Sequence, residues 1–307
     1  MPDWPPTPES RYRGCLLGLA IGDALGTTLE FRPPGSFTPI EDIVGGGPFK
    51  LRPGEWTDDT SMALCMATSL IERGGFDAVD QLDRYVRWRK GYLSSTGRCF
   101  DIGNTVRDAL LRFERTWEPF CGSTDPHTAG NGSLMRLAPV VLFFAGNPRL
   151  AIEMAADSSR TTHAAEEAVD ACRYMAALLV GAIRGATKED LLSPMFEPAA
   201  GIWQETPLTP RIADIASGSF KRRRQVRGSG YVVESLEAAL WAFHHTDSFR
   251  DAVLSAVNLG DDADTTGAIC GQLAGVYYGE DGIPEQWREK IAKRDLIESL
   301  ASDLFKK

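Results

Sequence analysis

Long apolar runs are missing from this chain of 307 residues. None reaches the roughly 18 residues a membrane-crossing helix requires, so no membrane span is expected. CxxC pairs are missing too. The six cysteines, at 15, 65, 99, 121, 172 and 270, are scattered, and several sit inside apolar stretches. They read as reduced, buried, small hydrophobes of a cytoplasmic protein. Residues 1–10 are Pro-rich and polar, without the basic-then-apolar pattern of a signal peptide. We expect an extended or disordered tail over 1–10 and one domain over 11–307. An excess of positive charge is also absent. The 33 Lys and Arg face 42 Asp and Glu, and the net charge of −9 argues against a general nucleic-acid binder. No stretch alternates with period two convincingly, and no unit of 20–50 residues repeats, which removes β-rich folds and solenoids. Hydrophobic content, 43%, is ordinary for a globular protein.

What is present is acid, concentrated twice. Gly260, Asp261, Asp262, Asp264, Thr265 and Thr266 precede an apolar segment over 268–278. Trp56, Thr57, Asp58, Asp59, Thr60 and Ser61 precede another over 62–70, which Gly74 and Gly75 end. Each reads as an Asp/Thr cluster at a helix start. A capping carboxylate and the helix dipole account for one aspartate, not for several. Crowded carboxylates repel and raise one another's pKa unless a cation sits among them. If the two helix starts meet, Thr57, Asp58, Asp59, Asp262, Asp264 and Thr265 form an oxygen-only cage. Such a cage suits Mg²⁺, Mn²⁺ or Ca²⁺ rather than zinc, and four carboxylates carry charge for two ions. Two unrelated capped helices are the plainer alternative.

Weaker signals lie between. Glycines at 14, 18, 22 and 26 fall on nearly one face of a helix expected over 11–26, where another backbone can approach. That helix carries Asp23 and leads to Glu30. Alone, Asp23 reads as structural and Glu30 as a surface residue. Residues 31–54 are a Pro/Gly-rich loop. In a second loop, over 91–103, Asp101 stands between Phe100 and Ile102 and is either a cation binder or a turn residue. Gly130, Asn131, Gly132 and Ser133 form a Gly-rich turn entering a helix, where backbone N–H groups can hold phosphate oxygens, or a plain turn. His163 opens a helix expected over 164–184, as a ligand contact or as a cap. The basic run 221–224 with Arg227 is a solvated face or lies near an anionic substrate. Tyr231, at the start of a helix over 232–244, stacks on a base or packs in the core. Together these segments predict an all-α fold: one compact helical domain with both acidic clusters opening onto one cleft.

The motifs resemble the ADP-ribosylglycohydrolase family. The matching pieces are Gly14-Cys15-Leu16-Leu17-Gly18 through Glu30, Trp56-Thr57-Asp58-Asp59-Thr60, Gly130-Asn131-Gly132-Ser133-Leu134-Met135-Arg136, Thr162-His163, and 260–265 with the helix that follows. Within the family, the stretch 95–103 looks like the bacterial dinitrogenase reductase-activating glycohydrolases, which remove ADP-ribose from a modified arginine. The resemblance implies an all-helical fold with a dinuclear metal cleft holding two Mn²⁺ or Mg²⁺ ions on Thr57, Asp58, Asp59, Asp262, Asp264 and Thr265. Asp261 is an extra acid where many members carry glycine, and it is expected to cap or to support the cage. The implied reaction is N-glycosidic cleavage between ADP-ribose and a protein arginine. Asp58, Asp59 or Glu30 would take the water's proton, the pyrophosphate would lie along residues 130–133, adenine near Tyr231, and Asp101 against the guanidinium. A hydrolase of another ADP-ribose linkage, a phosphohydrolase of nucleotides or sugar phosphates, and a non-catalytic ADP-ribose binder are the alternatives. A monomer acting on an ADP-ribosylated protein is expected.

Overall fold

The computed structural model describes residues 5–307, and it is helical throughout. The chain runs α1 Pro8–Gly26, α2 Asp58–Arg73, α3 Ala78–Trp88, α4 Asn104–Thr116, α5 Ala138–Phe144, α6 Pro148–Arg160, α7 Glu166–Ile183, α8 Lys188–Leu191, α9 Ile202–Glu205, α10 Pro210–Ala216, α11 Val232–His244, α12 Phe249–Val257, α13 Ala263–Tyr278, α14 Glu285–Lys290 and α15 Arg294–Phe305. Among the described residues there is no strand, only isolated bridges such as Gly130 with Tyr231.

The centre is a pair of helices in backbone contact. Gly14, Gly18 and Gly22 of α1 face Gly275, Gly271 and Gly267 of α13, and Gly26 faces Ala263. A Cβ at Gly18 would stand 2.2 Å from the Gly271 carbonyl oxygen, and one at Gly22 would stand 2.1 Å from that of Gly267. Each glycine inside a helix costs about 1 kcal/mol. The close approach lets α1 bury Leu16, Leu17, Leu19, Ile21 and Leu25 completely, each worth roughly 1.5–3 kcal/mol. The five side chains outweigh the four glycines. α7 and α13 are likewise buried along nearly their whole length, so the core lies along α1, α7 and α13. A second apolar cluster joins α2, α3 and α4 through Met62, Leu82, Tyr85, Trp88, Leu110 and Phe113.

Several boundaries differ from expectation for local reasons. α1 begins at Pro8, not at 11, because Thr7 accepts from the Ser10 N–H and Pro8 suits a first turn. Residues 8–10 of the expected tail are therefore helical. Residues 1–4 lie outside the described residues. α2 ends as the glycines suggest, with Gly74 left-handed at φ 69°. The Pro-containing stretch 192–218 holds the short helices α9 and α10. The turn at 130–133 does not enter a helix directly, since α5 starts only at Ala138.

Candidate active site

The two acidic clusters meet because α1 and α13 are in backbone contact and α2 begins against α1. Thr57 sits at the N-cap of α2 but makes no cap bond of its own. Asp23, from α1, does that work. It accepts from the Thr57 N–H (2.8 Å), the Thr57 hydroxyl (2.9 Å), the Thr60 N–H (3.0 Å) and the Thr60 hydroxyl (2.6 Å). Burial pushes the Asp23 carboxyl up to about 6 against the pull of those four donors. The Thr57 hydroxyl oxygen also lies 3.1 Å from Asp59 Oδ2 and 3.3 Å from Asp264 Oδ2. One hydroxyl proton cannot serve three carboxylates. With the hydroxyl donating to Asp23, the nearest, the Thr57 lone pairs face two more acid oxygens.

Asp262 is the N-cap residue of α13, and its Oδ2 accepts from Asn131 Nδ2 at 2.7 Å. Asp264 and Thr265 follow in the first turn, both buried. Asp261 does not cap the helix. It adopts φ 55°, the left-handed region where glycine is comfortable, and its backbone exchanges bonds with Phe31 N–H (2.7 Å) and the Arg32 carbonyl (2.8 Å). This tie holds Glu30 under the start of α13. Glu30 is 3% exposed rather than on the surface. Glu30, Asp101 and Asp264 bring one carboxylate oxygen each within 4.8 Å of one another.

The electrostatics of the cluster are those of a site short of positive charge. Burial, then the charge of Asp101, pushes the Glu30 carboxyl up to about 10. Burial, then Asp262 and Asp23, lifts Asp101 to about 7. Asp58, Asp59 and Asp264 are raised well above the usual range by burial first and by neighbouring acids second. Glu30 and Asp58 act on Asp101 as acid upon acid, and no basic side chain is among the causes of these shifts. Glu30 Oε2, Asp59 Oδ1 and Asp264 Oδ1 are buried without any hydrogen-bond partner. Orphaned buried carboxylate oxygens cost several kcal/mol in principle, and hard oxygens without sulfur or imidazole match Mg²⁺ or Mn²⁺. The residues present fit such an ion.

A cleft of about 760 Å³ opens onto the cluster. Glu30, Asp58, Asp101, Asp262 and Thr265 line one part, and Gly130, Asn131, Gly132 and His163 line another, with Arg227 also on the wall. The starts of α2, α4 and α13 contribute to it, and that of α11 lies beside it. Arg227 lies 3.6 Å from Asp261. In the basic run, Arg223 pairs with Glu237 and Asp214, and the cleft lining includes none of 221–224. Phe31 is 65% exposed at the rim with φ 60°, and Phe49 and Phe100 pack together nearby with ring centres 5.1 Å apart.

The turn differs from a simple phosphate cradle. The Gly130 and Asn131 N–H groups already bond to the carbonyls of Thr128 and Gly230. A Cβ at Gly132 would lie 2.8 Å from His163 Cε1, so this glycine makes room for the imidazole. Ser133 turns away: its hydroxyl is buried 2.8 Å from that of Ser159. Its side chain is therefore not part of the cleft lining. Tyr231 faces an adjoining hollow of about 640 Å³ that shares Gly130 and Gly230 with the cleft wall. Its hydroxyl donates to Glu167, and Arg211 lies over its ring at 5.8 Å. Asp59 is fully buried behind the cleft wall, whereas Glu30 and Asp58 reach the wall itself. Sequence reasoning missed the capping role of Asp23, the start of α4, and the buried Arg136 beneath the turn. The apolar spacing of Val106, Ala109, Leu110 and Phe113 was a readable signal for α4.

An all-helical domain with an oxygen-only acidic cleft at its helix starts is the architecture expected of ADP-ribosylglycohydrolases. The profile of that family, described as ADP-ribosylglycohydrolase, matches residues 4–307, and the chain belongs to the family. It is 48% identical over 305 residues to the ADP-ribosylarginine hydrolase Tri1 of Pseudomonas putida (strain GB-1), covering 97% of this chain and 80% of that protein. It is 44% identical over 316 residues to the protein of the same name from Serratia proteamaculans (strain 568), covering 99% and 84%. The ADP-ribosyl-[dinitrogen reductase] glycohydrolase of Rhodospirillum rubrum is more distant, 32% identical over 293 residues with 93% and 92% covered. Among solved structures, one titled ADP-ribosylglycohydrolase-related protein complex superimposes with a TM-score of 0.86 at 44% identity, covering 97% of this chain and 98% of that one. Of these three relatives, the two ADP-ribosylarginine hydrolases share more identity with this chain than the dinitrogen reductase glycohydrolase does. Among the described residues no helix is long and apolar enough to cross a membrane, and the six cysteines are free.

Proposed function

We propose that this chain hydrolyses the N-glycosidic bond between ADP-ribose and a protein arginine, releasing ADP-ribose. The observation that carries the reading is the convergence of Glu30, Asp58, Asp101 and Asp262 on one cleft wall with Asp59 and Asp264 buried behind it, and with three buried carboxylate oxygens lacking any partner. The family and the names of the relatives at 44–48% identity support it. Thr57, Asp58, Asp59, Asp262, Asp264 and Thr265 would hold two divalent cations, Mn²⁺ or Mg²⁺, with Glu30 and Asp101 alongside Asp264. Bound there, the ions supply Lewis acidity and orient hydroxyl oxygens of the ribose.

The protein's own groups do the rest. Asp101, on its loop at the cleft wall, offers a planar acceptor to the arginine guanidinium. Glu30 and Asp58 reach the wall and are the candidates to accept a proton from the attacking water. Asp59 lies behind them and is left to hold the ions. The water oxygen bonds to the anomeric carbon as the C–N bond breaks through an oxocarbenium-like state, and the electron pair leaves with the arginine guanidino group, which is released still able to take up the proton given by the water. Asn131 and His163 receive the polar body of the ADP-ribose, with the adenine toward Tyr231. The test is incubation with an arginine-ADP-ribosylated protein, with and without Mn²⁺. Release of intact ADP-ribose is expected. Release of AMP or inorganic phosphate would assign a phosphohydrolase instead, and binding without turnover a non-catalytic relative.

A further inference from the structure

Beneath the Gly130–Gly132 turn lies a cation that the mechanism above does not use. Arg136 is completely buried, and none of its recorded partners is a carboxylate. One terminal nitrogen donates to the Gly132 carbonyl at 2.6 Å, and the other donates to the Thr162 hydroxyl at 2.6 Å. The guanidinium lies 4.8 Å from the Tyr85 ring centre, and its Nε has no partner. Thr162 is fully buried as well, and its hydroxyl is 2.9 Å from His163 Nδ1. The opposite edge of that imidazole lies against the turn. A Cβ at Gly130 would be 3.4 Å from Nε2, and one at Gly132 would be 3.2 Å from it. His163 is also part of the cleft wall.

These contacts decide where the protons go. Arginine only donates, so the Thr162 oxygen accepts from Arg136. The hydroxyl then has one proton of its own. If Nδ1 carried a proton as well, both would point at each other's oxygen or nitrogen, and the buried hydroxyl proton would have no acceptor, the costly arrangement. If Nδ1 is bare, the hydroxyl donates to it, and both the hydroxyl proton and Nδ1 have a partner. We infer that Arg136 and Thr162 are positioning residues that lock His163 in the tautomer with its proton on Nε2. The cleft thereby receives a fixed neutral donor, aimed at an acceptor oxygen, and not a base. Burial first, and the Arg136 charge second, hold the imidazole down to about 3, which keeps the ring uncharged. That the acceptor is a phosphate or hydroxyl oxygen of ADP-ribose rests on the proposed function; the tautomer does not.

The test separates the two. The chain has four histidines, so long-range proton–nitrogen NMR of the full-length ¹⁵N-labelled protein, assigned with His163→Gln, resolves the ring. Arg136 is packed too deeply to be the sole variant, so Thr162 carries the comparison. Wild type and Thr162→Ser are expected to show the His163 proton on Nε2 alone. Thr162→Val, which cannot donate, is expected to show it shared between the two nitrogens. With ADP-ribosylated arginine substrate, Thr162→Val should raise KM roughly tenfold while kcat stays within about threefold (tenfold being about 1.4 kcal/mol), and Thr162→Ser should restore KM. A proton on Nδ1 in the wild type, or an unchanged tautomer in Thr162→Val, overturns the relay. A changed tautomer with unchanged KM overturns the substrate contact. Absence of any turnover with the tautomer as expected sinks the proposed function and leaves the relay standing.

Discussion

Gly22→Ala is the substitution for which the structure gives the most definite outcome. Its new methyl would stand 2.1 Å from the Gly267 carbonyl oxygen and 2.8 Å from the Ala268 nitrogen, distances that real Cβ atoms do not show. Both obstacles are backbone, so no side chain can swing aside. α1 and α13 must separate by roughly 1 Å, and a gap of that size forfeits a quarter to a half of each dispersion contact along the seam. Helix propensity works the other way, since alanine gains about 1 kcal/mol over glycine in an interior. Overpacking typically costs about 1–3 kcal/mol and more where backbone cannot yield. We expect a net loss of about 3 kcal/mol. With an unfolding entropy of roughly 2 cal/mol/K per residue, that loss over 307 residues is a melting temperature lower by about 5 °C. Asp23 follows Gly22 directly and Asp264 lies on the other helix, so the stabilisation by Mn²⁺ should shrink as well. Gly75→Ala is the control, because nothing lies within 4 Å of its new methyl and its backbone is not left-handed. Thermal melts with and without Mn²⁺ measure both. If Gly22→Ala melts like Gly75→Ala, the close seam between α1 and α13 is wrong.

Three further outcomes follow from the acid cluster. Asp262→Asn removes one charge and keeps an oxygen for Asn131. Without metal it should melt at or above the wild type, and with Mn²⁺ it should gain little; equal loss in both conditions would mark a purely structural cap. In metal-free protein the Asp101 carboxyl is lifted to about 7 from a usual value near 4. The folded state therefore binds more protons than the unfolded state between those values, and this group's share of stability, complete below about 4, is lost as pH rises to about 7. Denaturant melts at several pH values, compared between wild type and Asp101→Asn, should show the difference, and saturating Mn²⁺ should reduce it. Asp101→Ala should slow hydrolysis of the arginine linkage while calorimetry finds ADP-ribose binding within a few-fold, a lost charged pair being worth about 1.5–3 kcal/mol; equal losses of binding and activity would place Asp101 in the shared metal site.

The helical class and both acid clusters were legible because each is written in adjacent residues: a run of Asp and Thr before an apolar helix needs no tertiary information. The four glycines of α1 announced a close backbone partner for the same reason. What was not legible depends on which elements meet. Glu30 reads as exposed until the backbone of Phe31 is tied to Asp261. Asp23 reads as one more helix acid until α2 starts against it. Ser133 shares a turn with Gly132 and Asn131, but a turn motif does not say which way a side chain points, and here it points to Ser159. Arg136 is a motif residue whose burial follows from Tyr85, Thr161 and Thr162 converging on it from two other segments.

The capping of α2 from another helix has a kinetic meaning. Thr57 and Thr60 bond to a carboxylate 34 and 37 residues earlier in the chain, so the first turn of α2 is complete only after α1 has docked. The opposite wall of the cage comes from α13, which docks on α1 as well. An order follows, with the ligand set assembled last, from pieces that must already be packed. Contacts formed that late are largely absent from a folding transition state and act on the unfolding rate. Saturating Mn²⁺ is therefore expected to slow unfolding in denaturant-jump experiments and to leave the refolding rate nearly unchanged. Accelerated refolding would mean instead that the ions help assemble the helices they bind.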